Sequence, residues 1–234
     1  MDLFTNRYVK GSQEHMSDVT ASVDSPTSAG IMDRLRTETR PHHDKAEQNG
    51  FGVMVMQGGL KEPCYIEHLA AWKLILGHLE SALRDSTDET VSRTWHEGLV
   101  KKEILSRDLE ALAPEGIELS PATTQAVSEF TTYVDTLSKE TPRGLLGVLY
   151  VLEGSTMGGS VMKSRIASQL DLTLDEPGLL YYGCYGNEVG VRFKEFRARM
   201  GDAVDGSGSE ELVLQAAGRT FDLVGDILRA IAGD

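Results

Sequence analysis

Basic residues are in short supply in this 234-residue chain. Lys and Arg number 23 against 36 Asp and Glu, a formal net charge of −13. Binding along a phosphate backbone needs a basic field, so the balance argues against a nucleic-acid surface. Cysteine is sparse too: Cys64 and Cys184 stand far apart and match no metal-ligand spacing. A disulfide framework is therefore not expected, and a reducing cytoplasm is the simpler compartment. No window approaches the roughly 18 apolar residues expected of a membrane span. Met1–Lys10 lacks the apolar stretch of a signal peptide, and Ile227–Asp234 carries no anchor pattern. Strand-type alternation, internal repeats and flavin or nicotinamide motifs are also missing.

What remains suits one helical core. Hydrophobic residues make up 40% and charged residues 25% of the chain, ordinary values for a globular domain. Residues 1–29 are polar and rich in Ser, Thr, Asp and Gly, which predicts a mobile extension ahead of a domain spanning 30–234. From Ile31 the three- and four-residue period begins. Ile31–Asn49 reads as a helix with a kink or late start at Pro41, which lacks a backbone donor. Tyr65–Arg84 puts Leu69, Trp72, Ile75, Leu76, Leu79 and Leu83 on one face. Thr90–Leu112 is a weaker amphipathic stretch. Pro121 opens a helix to about Ser138, and Pro142 begins the most apolar segment, Gly144–Leu170. Gly186–Met200 and Glu210–Ala232 complete an all-α class of about seven or eight helices around one core.

Three stretches carry candidate chemistry. Leu149–Ser160 places Gly154, Gly158 and Gly159 within six residues, although each interior helical glycine costs about 1 kcal/mol relative to alanine. Gly154 and Gly158 share a helix face bare of side chains. That face fits close packing of a second helix or the approach of a flat ligand. Leu35–Glu47 holds the adjacent pair His42 and His43, which cannot both point inward. A neutral imidazole is a good iron ligand, while His43 and Glu47 also fit a helix-surface pair. Gly190–Met200 concentrates Arg192, Lys194, Arg197 and Arg199. Lys194 and Arg197 share one face, suited either to gripping carboxylates or to facing solvent.

In this order the three stretches resemble the haem oxygenase family, particularly its soluble bacterial, biliverdin-producing members, some of which supply phytochromes. The resemblance spans about residues 31–232. It rests on Leu35-Arg-x-x-Thr-x-x-x-His43-x-x-Ala-Glu47 and Tyr150-Val-Leu-Glu-Gly-Ser-Thr-Met-Gly-Gly159, with Phe193–Met200 in support. It implies a single helical domain with haem between a proximal helix and a kinked, glycine-rich distal helix. His43 is the implied iron ligand, and His42 its outward neighbour. Gly154, Gly158 and Gly159 match the distal glycines, and Tyr150 heads the same motif among the haem-binding residues. Arg36 and Arg197 match propionate-binding positions, with Lys194 or Arg192 as a third. Ser155 stands where animal members carry an aspartate.

The activity implied is oxidative cleavage of haem, both substrate and cofactor, to biliverdin, carbon monoxide and ferrous iron. It would consume dioxygen and electrons from a separate ferredoxin or reductase, with a phytochrome as a conceivable acceptor of the product. The alternative reading is a non-catalytic haem-binding protein for storage, delivery or sensing, built on the same residues. A di-iron site is not expected, because Glu67, His68 and Glu80 do not form the paired Glu and Glu-x-x-His set.

Overall fold

Prolines and capping side chains set where the helices of this chain begin. The computed structural model describes residues 29–48 and 50–233; residues 1–28, Asn49 and Asp234 lie outside them, and with them nearly all of the expected N-terminal extension. The α-helices are α1 Ile31–Glu38, α2 Arg40–Glu47, α3 Gly50–Gln57, α4 Glu62–Asp85, α5 Glu89–Thr94, α6 Lys102–Leu112, α7 Pro121–Glu140, α8 Leu145–Leu170, α9 Val189–Val204 and α10 Glu210–Ala232. No strand occurs among the described residues. The class is all-α, as expected, with ten α-helices among the described residues where the sequence predicts about seven or eight.

The differences have local causes. The Ile31–Asn49 run breaks at Thr39, and Pro41 falls in the first turn of α2, where its missing donor is not needed. The buried Thr39 hydroxyl donates to the Leu35 carbonyl oxygen at 2.5 Å, which ties the break together. The Thr90–Leu112 stretch splits into α5, a 3₁₀ turn at Glu97–Leu99 and α6. Asp88 caps α5 by accepting from the Thr90 and Val91 amides. Ser120 caps α7 by accepting from the Thr123 amide, with Pro121 at its first position.

α4, α7, α8 and α10 enclose the core. Tyr65, Leu69, Ile75, Leu79, Phe130, Leu145 and Leu146 are fully buried there, each worth about 1.5–3 kcal/mol of burial. α8 is central. Together with its leading turn it forms Pro142–Leu170, a 29-residue stretch that is long and apolar enough to cross a membrane by length and composition. This corrects the expectation that no window reaches that mark: the run, of mean hydropathy 1.3, tolerates the scattered polar residues that a count of consecutive apolar ones does not. Half of its apolar window is buried inside the fold.

One close approach organises the rest. A Cβ on Gly147 of α8 would overlap the Val213 carbonyl and come within 2.7 Å of the Ala217 amide nitrogen. α10 therefore crosses α8 backbone to backbone at this glycine. Further along, α10 carries α2, with the His42 ring against Gly218 and the Ala46 backbone against Gly225. α2 and α8 thus sit on the same helix without packing substantially on each other. α9 packs on both α1 and α8, and α3 on both α8 and α10.

Candidate active site

The candidate site is built from the glycine-rich half of α8 and from α2, two helices that both pack on α10. A Cβ on Gly158 would meet nothing within 4 Å, and one on Gly154 only the edge of Phe193 at 3.9 Å. Helix packing accounts for Gly147 but not for these two, so their shared face is open. Met157 and Val161, on the same side, are exposed although apolar. Gly159 faces elsewhere: it is buried, with the Tyr182 ring 3.5 Å from where its Cβ would stand. Of the three glycines, the structure brings Gly154 and Gly158 together on the open face and gives Gly159 to the packed side.

Ser155 is exposed, and its hydroxyl donates to the Leu152 carbonyl at 2.6 Å. That proton is committed to the helix itself. Tyr181 approaches Ser155 from beneath, and burial pushes its phenol well above its ordinary value.

On α2, His43 is 46% exposed, with Nε2 3.6 Å from Glu47 and Nδ1 3.6 Å from Asp44. These three side chains could hold a cation, their ligand atoms lying within 4.8 Å of one another. An imidazole that ligates through one nitrogen needs a partner on the other to fix its tautomer, and both carboxylates are in reach of that task. The ring of His43 also lies edge-on to Phe221 of α10.

His42 departs from expectation. Rather than pointing outward, it turns to α10, with Nδ1 3.2 Å from Asp222. Adjacent residues on a helix differ by about 100°, and α10 runs beneath α2 broadly enough to meet both rings. Lys45 joins the same carboxylate at 3.2 Å. Partial burial pushes Asp222 upward, but the bonds from Lys45 and His42 outweigh it and hold the carboxyl below its ordinary range.

At the α9 end the cations converge. Arg36 of α1 and Arg197 of α9 each lie 3.8 Å from Asp33. Tyr150 of α8 is close enough for both to act on its phenol. Burial raises Tyr150, and Arg197 and Arg36 oppose the rise without cancelling it. The phenol therefore stays protonated at neutral pH and is available as a donor. Two guanidiniums and a phenol at one rim suit carboxylate binding. Lys194 is exposed on the helix face of Arg197. Arg192 pairs with Glu188 at 3.1 Å, and Arg199 donates to the Arg93 carbonyl at 3.3 Å, so neither belongs to this cluster.

Behind the open face is a polar cluster without a counterpart in the sequence reading. Lys101 and Glu153 form a buried ion pair, Nζ to Oε2 at 2.5 Å, with side-chain exposures of 3% and 1%. Lys101 Nζ also donates to the Tyr185 hydroxyl at 3.0 Å and the Leu99 carbonyl at 3.1 Å. The partners are 52 and 84 residues from Lys101, beyond any periodicity signal. Lys101 sits in a charged Lys-Lys-Glu run, and Glu153 beside a glycine, so neither gives a sequence signal of burial.

Fold and site together define an all-helical protein with an open glycine face on one helix, a histidine-bearing helix carried by the same neighbour, and a cationic cluster. Comparison with known proteins agrees. The chain belongs to the haem oxygenase family: the family model described as Heme oxygenase matches residues 29–230. Heme oxygenase 2 of Oryctolagus cuniculus is 23% identical over 83% of this chain and 64% of that protein. Heme oxygenase 1, chloroplastic, of Arabidopsis thaliana is 26% identical over 71% of this chain and 58% of that protein. The chain thus spans less than two thirds of the length of both. Among solved structures, the heme oxygenase of Leptospira interrogans superposes with a TM-score of 0.76 at 21% identity, over 86% of this chain and 99% of that one. Heme oxygenase-2 of Synechocystis sp. PCC 6803, solved with heme and NO, gives 0.77 at 21%, over 87% and 85%. At these identities the superpositions establish the fold.

Proposed function

We propose that this chain binds haem between α2 and α8 and cleaves it oxidatively to biliverdin, carbon monoxide and ferrous iron. The observation that carries this reading is the open face of Gly154 and Gly158 on α8; His43 on α2, a helix that packs on the same α10, and the cluster of Arg36, Arg197 and Tyr150 support it. The proposed groove between the two helices fits the parts of the substrate separately: a flat apolar macrocycle, an iron needing one neutral nitrogen, and two carboxylates.

Haem supplies the redox chemistry, and the chain supplies orientation and electrostatics. His43 would hold the haem iron through one ring nitrogen, with Glu47 or Asp44 holding the other. Gly154 and Gly158 leave room for dioxygen between backbone and ring plane. Arg36, Arg197 and the Tyr150 phenol grip the propionates, with Lys194 as a further cation on that face. That grip sets ring rotation and hence which meso carbon is presented. Because the Ser155 proton is held by Leu152, proton delivery falls to ordered water on the distal backbone. Electrons come from a separate ferredoxin or reductase, the setting is cytoplasmic, and a biliverdin-accepting phytochrome is a fitting recipient of the product.

The engaged Ser155 hydroxyl is also what favours the second reading, a haem-binding protein without turnover. Reconstitution with haem followed by ascorbate or a reductase separates the two. Growth of a biliverdin band supports the oxygenase. A haem spectrum that persists unchanged overturns it in favour of the binding protein.

A further inference from the structure

α8 has a difficulty that its sequence alone does not solve. Its distal half has three glycines, one apolar side buried and one apolar side open. Gly147 fixes the rotation of α8 where it meets α10, but around Gly154–Gly159 the small residues leave few large side chains to hold that orientation through to the open face. Yet the groove works only if Gly154 and Gly158 face it, and a rotation of one residue's worth would bring Ser155 or Glu153 round instead.

We propose that the buried cluster of Lys101, Glu153 and Tyr185 is the device that fixes this rotation, making Glu153 a positioning residue for the oxygen side of the haem site. Glu153 immediately precedes Gly154, so anchoring its carboxylate determines where the next residue points. The anchor is itself held. Lys101 has its amide donating to Glu80 Oε1 of α4 at 2.7 Å, and its ammonium saturated by Glu153, Tyr185 and Leu99. Tyr185 in turn follows the segment whose Gly178, Leu180 and Tyr181 amides all donate to the buried carboxylate of Asp108 on α6, at 2.8–2.9 Å. Through Lys101, α4 and the Tyr185 segment are thus tied to one carboxylate on the distal helix.

The chemistry of the pair points the same way. A buried ion pair gains little net stability over apolar groups of the same volume, because desolvation cancels most of the attraction. What it offers instead is direction, which an apolar contact lacks. One lone pair remains unused: Glu153 Oε1 is buried without a hydrogen-bond partner. Tyr185, which shares Lys101 with Glu153, borders a cavity of about 10 Å³ together with Thr156, Ser160 and Cys184, close to the room needed for one water. The cluster is therefore built on the non-groove side of the same helical turns that face the substrate.

This assignment rests on the haem oxygenase reading, and the test keeps the two apart. Full-length Tyr185→Phe, Glu153→Gln and the apolar double variant Lys101→Met/Glu153→Leu are compared with the parent chain. The double variant guards against misfolding of a singly broken pair. In the haem-free proteins, amide exchange across residues 150–162 should rise while exchange in α4 holds. In the haem-loaded proteins, the C–O stretch of the ferrous carbon monoxide complex should shift and broaden. Haem affinity should hold while kcat falls by about tenfold to a hundredfold, the scale of a small misplacement. The biliverdin isomer distribution should widen. A merely structural role would lower the folded fraction without altering isomer ratio or C–O stretch in what remains folded. Folded variants with the parental isomer ratio, stretch and exchange pattern would overturn the assignment alone. A parent chain that binds haem without producing biliverdin would overturn the oxygenase reading, leaving exchange and stretch to decide the positioning role.

Discussion

The imidazole of His43 meets the ring of Phe221 edge-on, with centroids 5.4 Å apart and planes at 74°. The helix that carries the iron-binding candidate is thus held by a different helix through the candidate's own ring. An edge-to-face pair contributes about 0.5–1.5 kcal/mol beyond its area. Phe221→Ala should therefore weaken haem binding severalfold and broaden the haem spectrum. His43→Ala should abolish the Soret signature of an imidazole-ligated haem and stop turnover. His42→Ala should leave the spectrum intact and lower stability by no more than about 1 kcal/mol, because its pairing with Asp222 is partly solvated. A parental Soret band in His43→Ala, titrated by absorbance, would remove His43 from the site.

Two glycines of α8 should respond in opposite ways to the same change. Gly158→Ala adds a methyl to open space, so the haem-free protein should gain up to about 1 kcal/mol from helix propensity. Gly147→Ala forces a methyl into the α10 backbone and should cost about 1–3 kcal/mol or more. Thermal melts of the two haem-free variants read the contrast directly. Gly158→Leu should melt like the parent yet fail to bind haem. Retained affinity in that variant would count against a ring lying on this face.

Acid should loosen the fold through His68. This ring is buried between Phe51 and Trp72, with Nε2 2.8 Å from the Tyr182 hydroxyl. Burial pushes its pKa from 6.5 down to about 3. As pH falls, the unfolded chain takes up this proton first, so the stability present above pH 6.5 is lost between pH 6.5 and about 3. For one proton the limiting slope is about 1.4 kcal/mol per pH unit. Urea midpoints at pH 7 and pH 5 should fall more in the parent than in His68→Phe. Parallel falls would show that other groups govern the acid limb.

The cationic rim should reveal itself through affinity and salt. Arg36→Ala and Arg197→Ala each remove a charge-assisted contact of about 1.5–3 kcal/mol, or roughly tenfold to a hundredfold in haem Kd. The double variant should lose less than the sum, because both guanidiniums share Asp33 and the same end of the groove. Asp33→Asn should tighten haem binding, since it frees both cations from a competing carboxylate. Dissociation constants from haem titration decide the matter, and weaker binding in Asp33→Asn would contradict the shared-rim geometry.

The sequence made α4 and α10 legible because each has one apolar stripe over six turns. α10 runs over the expected residues, Glu210–Ala232. Pro41 likewise announced the break between α1 and α2. α3 escaped notice because Gly50-Phe-Gly-Val-Met-Val-Met-Gln57 is apolar on nearly every side and flanked by glycine, so it has no period to detect. Within the site, residue type left His43 and the arginines with alternatives, and only the family resemblance singled out His43, Arg36 and Arg197. The separation of Gly159 from Gly158, and the turning of His42 toward Asp222, depend on which neighbour occupies each helix face. A single chain read in isolation does not name that neighbour. The Lys101–Glu153 pair was hidden for a further reason: two charged residues 52 positions apart look like two solvated ones until the fold removes the water.

Gly147 and Gly158 lie eleven residues apart, about three turns or roughly 16 Å along α8 and within about 20° of the same face. At one end of this strip α10 presses on the backbone; at the other, a Cβ would meet nothing within 4 Å. Two helices that come closest at one glycine and leave the far end of the strip uncovered behave like the blades of scissors around a pivot. The width of the groove is then set at Gly147, where no substrate reaches. Enlarging that pivot by even a methyl would change the gap three turns away, so a mutation remote from haem could alter which ring edge is attacked while every residue lining the groove stayed the same.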